Sequence, residues 1–263
     1  MKEGSPISAR VVAAQEARDL WLSGRAPVLL FAFSLLVSAI TYFTAIDQTL
    51  NFLEHKEAVN FTLQIAVGVG VLVTLVVSAD GISGERERGT LECLLLTPVP
   101  RRSIVLGKLV AALSVWFGAF VVTVPYIWVL GNGISLVAGA LVLALTVGTV
   151  LAAGLAAAGL LISSVSGSNK ASLAISLFVL LALFAPTQLP GGLPRGWFFD
   201  VLTRANPVAS GLHYVGLVLV GGHAWTRDLG YLVSPVVLLV LATAVLTGWS
   251  PRLVRLFPGV RAA

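Results

Sequence analysis

Cysteine occurs once in the 263 residues, at Cys93, so no intrachain disulfide can form. The three histidines, His55, His213 and His223, form no Cys/His cluster of the kind a zinc cage needs. Charge is equally sparse: 17 Lys and Arg and 12 Asp and Glu make up 11% of the chain, against 57% hydrophobic residues. The mean hydropathy is +0.95. So few polar side chains cannot cover a water-facing surface, which excludes a soluble enzyme and assigns the chain to a bilayer. A nucleotide-binding phosphate loop, G-x-x-x-x-G-K-[ST], is missing too, because Gly107-Lys108 is followed by Leu109 and lacks the upstream glycine. Energy for any work must come from another chain.

Long uncharged runs take the place of these features. They cover residues 26–46, 58–79, 109–169, 171–194 and 229–251, and a spanning helix needs about 20 apolar residues. The third run is long enough for two helices, with Gly131-Asn132-Gly133 where a tight reversal is required. The expected spans are therefore about 27–46, 60–79, 108–130, 135–163, 172–189 and 230–249. This predicts an all-α integral membrane protein, residues 1–263 forming one transmembrane domain with a loop at 80–107. The first run follows some 25 residues that carry charges and no small-residue cleavage site, so it reads as an anchor rather than a removable signal.

Orientation follows from the basic residues, which are retained on the cytoplasmic side. One side holds thirteen: Lys2, Arg10, Arg18, Arg25, Arg86, Arg88, Arg101, Arg102, Lys108, Lys170, Arg252, Arg255 and Arg261. The other holds four: Lys56, Arg195, Arg204 and Arg227. Both termini are expected in the cytoplasm of a multi-pass inner or plasma membrane protein. The net charge of +5 is thus a topology signal and does not point to nucleic acid.

The 205–226 segment is also uncharged, but its helical part is bracketed by Pro207 and Gly221-Gly222. About 13 residues at 1.5 Å each give roughly 20 Å, short of the ~30 Å hydrocarbon core. A re-entrant or interfacial helix near 208–220 is expected in place of a seventh span, and Trp197, Phe198 and Phe199 before it read as an aromatic belt.

No assigned span carries Asp, Glu, Lys or Arg away from its ends, so an ion-coupled carrier is disfavoured. The interior polar set is Thr41, Thr44, Gln64, Thr74, Thr123, Tyr126, Thr146 and Ser176, read as packing hydroxyls and an amide. Gly148, Gly154, Ala156, Ala157, Ala158 and Gly159 of the fourth span permit close helix approach, either within the chain or at a subunit interface, and Gly68 and Gly70 read as a packing feature. His213, His223 and Asp228 form no evident acid–base constellation, which weakens an intramembrane enzyme.

The loop between the second and third spans reads Glu85-Arg86-Glu87-Arg88-Gly89-Thr90-Leu91-Glu92-Cys93-Leu94-Leu95-Leu96-Thr97-Pro98-Val99-Pro100-Arg101-Arg102-Ser103. Thr90 is placed to cap a helix of about two turns, Glu92 to face its dipole, and Pro98 to end it. Leu91, Leu94 and Leu95 share one face at i, i+3 and i+4, with charges on either side. So short a helix is unstable alone and must dock, either on lipid headgroups or in a groove of a soluble partner. Ahead of the first span, Val11, Val12, Ala14, Leu20 and Trp21 mixed with Arg10, Glu16, Arg18, Asp19 and Arg25 predict an amphipathic helix.

The run from Glu85 to Lys108 resembles the signature of type-2 ABC exporter permeases, E-R-E-x-G-T-x-E-x-L-L-x-[ST]-P-[VL]-x-R-x-x-x-x-x-G-K. Glu85, Arg86, Glu87, Gly89, Thr90, Glu92, Leu94, Leu95, Pro98, Arg101, Gly107 and Lys108 match, and Pro100 stands where a small polar residue is commoner. The resemblance implies that the loop is a coupling helix seated on a separate ATPase, with Arg88, Leu91 and Arg102 in the same surface. It further implies two ATPase subunits that use ATP and Mg, a second permease subunit (identical or a paralogue), no cofactor on this chain, and an N-terminal connecting helix along the inner surface. It also implies short outer helices between the last two spans. A membrane scaffold that docks a soluble partner without transporting remains the alternative.

Overall fold

The computed structural model describes residues 6–46, 52–91, 96, 99–131, 136–188 and 197–253. They fold into nine α-helices: α1 (Pro6–Leu22), α2 (Arg25–Ile46), α3 (Phe52–Glu87), α4 (Arg101–Leu130), α5 (Val137–Val165), α6 (Asn169–Phe184), α7 (Trp197–Ala205), α8 (Pro207–Leu219) and α9 (Val233–Leu253). Short 3₁₀ turns follow α6 and precede α9. There is no strand among the described residues. Six segments are long and apolar enough to cross a membrane: Arg25–Thr44, Lys56–Glu87, Arg101–Leu130, Val137–Val165, Asn169–Thr187 and Leu229–Trp249. The chain is an all-α, six-span helical bundle. The Asn132-Gly133 turn lies outside the described residues, and Gly131 closes α4 by donating its amide to the Ile127 carbonyl.

The largest departure from expectation is at the predicted 80–107 loop. Helix α3 has 36 residues, about 54 Å at 1.5 Å per residue, so it projects well past a ~30 Å hydrocarbon layer. Gly81 and Gly84 do not end it, because its last turns are packed and hydrogen-bonded to α5 and α6. Gly89, at φ +70°, ends it by turning the chain into the left-handed region. Helix α4 starts directly after Pro100, seven residues earlier than expected. The connection shrinks to residues 88–100.

Helix α5 is the centre of the bundle. Its Leu143, Ala144, Leu151, Ala152, Leu155, Ala156, Ala157 and Leu160 are each at most 1% exposed. Small residues set the spacing. A Cβ at Gly70 would stand 2.9 Å from the Trp116 ring, and one at Gly148 would overlap the same ring at its Cζ2 and Cη2 atoms. The Trp116 Nε1 donates to Thr149 Oγ1 at 3.0 Å, so the indole is fixed as well as buried. Gly154 lies against Leu238 and the Leu239 backbone, Gly159 against Ser78 and Leu75, and Gly68 against Phe184. The small residues therefore serve packing within the chain. By contrast α2, α6 and α9 expose most of their apolar side chains, including Phe31, Leu35, Phe178, Leu181, Val240 and Leu241.

The segment between α6 and α9 is built around Asn206. Its Oδ1 accepts from the Val208 and Ala209 amides at 3.0 and 3.1 Å, capping α8. Its Nδ2 donates to the Leu183 carbonyl at 2.8 Å, tying the α7–α8 corner to α6. Helix α8 has 13 residues and buries nine of them, with Gly211 against Val147 and Leu151 of α5. The Ser210 hydroxyl donates to the Tyr231 carbonyl, and Tyr214 donates to the Trp225 carbonyl at 2.7 Å. Burial, reinforced by the Asp228 carboxylate, pushes the Tyr214 hydroxyl above its ordinary value. Trp197 is exposed, and the Phe198 and Phe199 side chains lie outside the described residues.

Candidate functional site

The chain's charges gather at the α3–α4 end of the bundle. Lys108, on the second turn of α4, has a side chain only 5% exposed and sits between two carboxylates. Its Nζ is 2.9 Å from Glu16 Oε1 of α1 and 2.5 Å from Glu85 Oε1 of α3. Three helices meet on one ammonium. The approach of α1 depends on Gly107, where a Cβ would stand 2.6 Å from Val12 Cγ1 and 3.1 Å from the Ala13 amide nitrogen. The face of α1 that turns inward is Ala9, Val12, Ala13, Glu16, Ala17 and Leu20, at helical spacing. Higher up, Trp21 Nε1 donates to Ser114 Oγ at 3.1 Å. Helix α1 thus lies lengthwise on α4. Val11, Ala14 and Trp21, expected on its apolar face, are exposed instead.

A second set of bonds ties α3 to the α5–α6 turn. Arg86 donates from Nη1 to the Ser166 carbonyl at 2.5 Å and from Nη2 to the Ser164 carbonyl at 3.1 Å, satisfying the C-terminus of α5. Glu87 accepts from the Asn169 amide at 2.8 Å, at the start of α6. Asn169 Nδ2 donates to Asp80 Oδ1 at 2.7 Å, and Ser83 donates to Asn169 Oδ1 at 3.0 Å. Asp80 Oδ2 is also 3.4 Å from both Arg25 of α2 and Arg88. Ser163 Oγ accepts from the Ile82 and Ser83 amides at 3.1 and 2.9 Å, while Ser172 donates to the Ala79 carbonyl at 2.8 Å. The turn 79–83 is bonded from two neighbouring helices.

Residues 85–88 were expected on a free loop. The continuation of α3 gives all four partners within the chain. What remains outward is Glu87, Arg88, Gly89, Thr90, Leu96, Arg101 and Arg102, with Leu96 at 85% exposed. The Thr90 hydroxyl donates back to the Glu85 carbonyl at 3.3 Å. Leu91 is 1% exposed, in a cluster with Ile82, Val105, Leu109, Leu160 and Leu246. It anchors the connection to the bundle, and the other members of its predicted face, Leu94 and Leu95, lie outside the described residues together with Glu92 and Pro98.

Sequence reasoning did not single out Asp80, Ser163 or Asn169, and took Glu16 only as part of an amphipathic pattern. Asp80 had a signal: it is the first charge after an uncharged run of 22 residues. The serines and Asn169 had none, since their partners are about 80 residues away. Of the interior polar set, Thr44, Thr74, Thr123 and Thr146 donate to carbonyls of their own helices. Tyr126 is bonded to Ser34 and Ser38. Thr41 Oγ1 and Ser176 Oγ, expected to be satisfied, have no partner among the described residues. No group of three His, Cys, Asp or Glu that could hold a metal occurs among the described residues.

The sequence model of one family, described as ABC-2 family transporter protein, matches residues 11–250. No curated protein matches the chain.

Proposed function

Because the chain belongs to the ABC-2 transporter family, we propose that it is the membrane-spanning permease subunit of an ATP-driven exporter. Two such subunits, identical or paralogous, form the path, and two separate ATPase chains bind ATP and Mg beneath them. Both termini face the cytoplasm, following the thirteen-to-four distribution of basic residues. The ATPase seats on the 88–100 connection, where Thr90, Leu96, Arg101 and Arg102 are exposed, and Leu94 and Leu95 are assigned to the same surface from the signature alone. Glu85, Arg86 and Glu87 act behind that surface, as the root that transmits force.

One observation supports this reading: a short connection between two spans is rooted in a bonded block of α1, α3 and α4 that is tied to the α5–α6 turn. Closure of the ATPases pushes on the connection, and the ties of Lys108 and Arg86 pass the displacement to the spans. The test is co-purification. Leu94→Asp with Leu95→Asp should remove the ATPase from the purified permease while membrane insertion, read by protease protection, is unchanged. Retained ATPase would overturn the proposal. A dependence of the partner's ATP turnover on added cargo separates an exporter from a scaffold.

A further inference from the structure

At the opposite end of α3, Glu57, Asn60, Phe61 and Gln64 recur at i, i+3, i+4 and i+7 and so share one helix face. With Ala58, and with Gly216 and Val220 of α8, they line a cleft of about 590 Å³, a size that suits a small ligand. Its polar groups are idle. Among the described residues Asn60 Oδ1 is buried with no hydrogen-bond partner, and neither the Gln64 amide nor the Glu57 carboxylate is bonded. By contrast, the Asn206 and Asn169 amides, also at helix ends, are bonded within the chain. A buried amide left unpaired costs free energy unless something outside the chain satisfies it.

The opposite wall is bare backbone. A Cβ on Gly216 would meet Asn60 Nδ2 at 3.7 Å and Gln64 Nε2 at 3.8 Å, so the missing side chain leaves room beside the two amide nitrogens. Glu57, exposed at the mouth, places a negative charge there, which selects cationic over anionic groups. Phe61, 53% exposed, offers an aromatic surface beside it. Ala58 and Val220 complete an apolar rim.

We propose that this cleft binds the head of an amphipathic cation, with its cationic N–H group at Glu57, its other hydrogen-bonding groups at Asn60 and Gln64, and its apolar part along Phe61 and Val220. The assignment rests on the exporter reading only in naming the occupant as cargo; the binding itself depends on nothing but the cleft.

The test uses the full chain, purified in phosphatidylcholine nanodiscs without any ATPase. Binding of rhodamine 6G, an amphipathic cation, is read by fluorescence anisotropy against 1-anilinonaphthalene-8-sulfonate, an amphipathic anion. Saturable binding of the cation is expected above the linear partitioning seen in empty nanodiscs. Glu57→Gln should weaken it about tenfold, the loss of one charge-assisted hydrogen bond, and the pair Asn60→Leu/Gln64→Leu about tenfold, the loss of two neutral ones. Gly216→Leu, which fills the cleft, should abolish it. Equal affinity of wild type and Glu57→Gln, or equal saturable binding of the anion, would overturn the proposal. Glu57→Gln changes an exposed side chain, so it remains informative where Gly216→Leu fails to fold. Because no ATPase is present, failure here leaves the co-purification test of the exporter reading standing, and the reverse also holds.

Discussion

Replacing Lys108 by Met removes the one cation between two carboxylates and keeps nearly the same side-chain length. At an effective dielectric of 20, each contact is worth about 6 kcal/mol of attraction at its distance of 2.9 or 2.5 Å. Most of that is offset by desolvation of an ammonium 5% exposed and carboxylates 23% and 18% exposed. What the substitution reads is the uncompensated remainder. Glu85 Oε2 already lacks a partner among the described residues, so without Lys108 this carboxylate loses its contact cation and keeps only the weaker attraction of Arg88. Breaking a buried pair in this way costs about 3–5 kcal/mol. The assay is SDS-titrated unfolding of the full chain followed by circular dichroism, with a double-mutant cycle. Lys108→Met/Glu85→Gln should recover at least about 2 kcal/mol of the loss, because neutralising Glu85 removes the orphaned charge. If the two substitutions add within about 0.5 kcal/mol, the ammonium does not couple α4 to α3, and the rigid root is refuted.

Gly148→Leu should destabilise the bundle by about 1–3 kcal/mol through overpacking against the Trp116 ring, and Trp116→Leu in the same chain should restore part of it in the same unfolding assay. Asn206→Ala removes two cap bonds and the tie to Leu183; a loss of about 1–2 kcal/mol is expected, with increased proteolysis confined to the α7–α8 region. Leu91→Asp, placing a charge in a core cluster, should abolish accumulation of folded protein. Leu96→Asp, at an 85% exposed position, should leave the unfolding midpoint unchanged and reduce ATPase co-purification.

The number of spans was legible because hydrophobic runs are bounded by charge, and the bilayer imposes that pattern residue by residue. The ends of α3 and α4 were not. Charges at Asp80, Glu85 and Arg86 signal departure from hydrocarbon, yet nothing local says whether the helix stops there. It continues because Ser163, Ser166 and Asn169 supply bonds from the α5–α6 turn, and such partners some 80 residues away leave no periodic trace. The Leu face of the connection shows the same limit. Helical spacing groups Leu91 with Leu94 and Leu95, but whether a face meets a partner or its own core depends on where the preceding helix delivers it. Here α3 delivers Leu91 beside Ile82 and Leu109.

Two kinds of bond root the connection, and they differ in what they resist. The Lys108 contacts involve charges on α1, α3 and α4, which attract over distance and tolerate small shifts of geometry. The Arg86 contacts are short bonds to the Ser164 and Ser166 carbonyls, which weaken steeply with misalignment. A push on the connection that moves α3 together with α1 and α4 preserves the first set while straining the second. On the proposed exporter reading, the α5–α6 turn is the place where the moving block and the rest of the bundle slide or follow. Arg86→Lys distinguishes the two. A lysine keeps the charge but cannot fork to two carbonyls. If the block slides at this turn, the substitution should leave ATPase binding intact and raise ATP turnover that is no longer matched by transport. If the turn follows α3 as one body, turnover and transport should fall together.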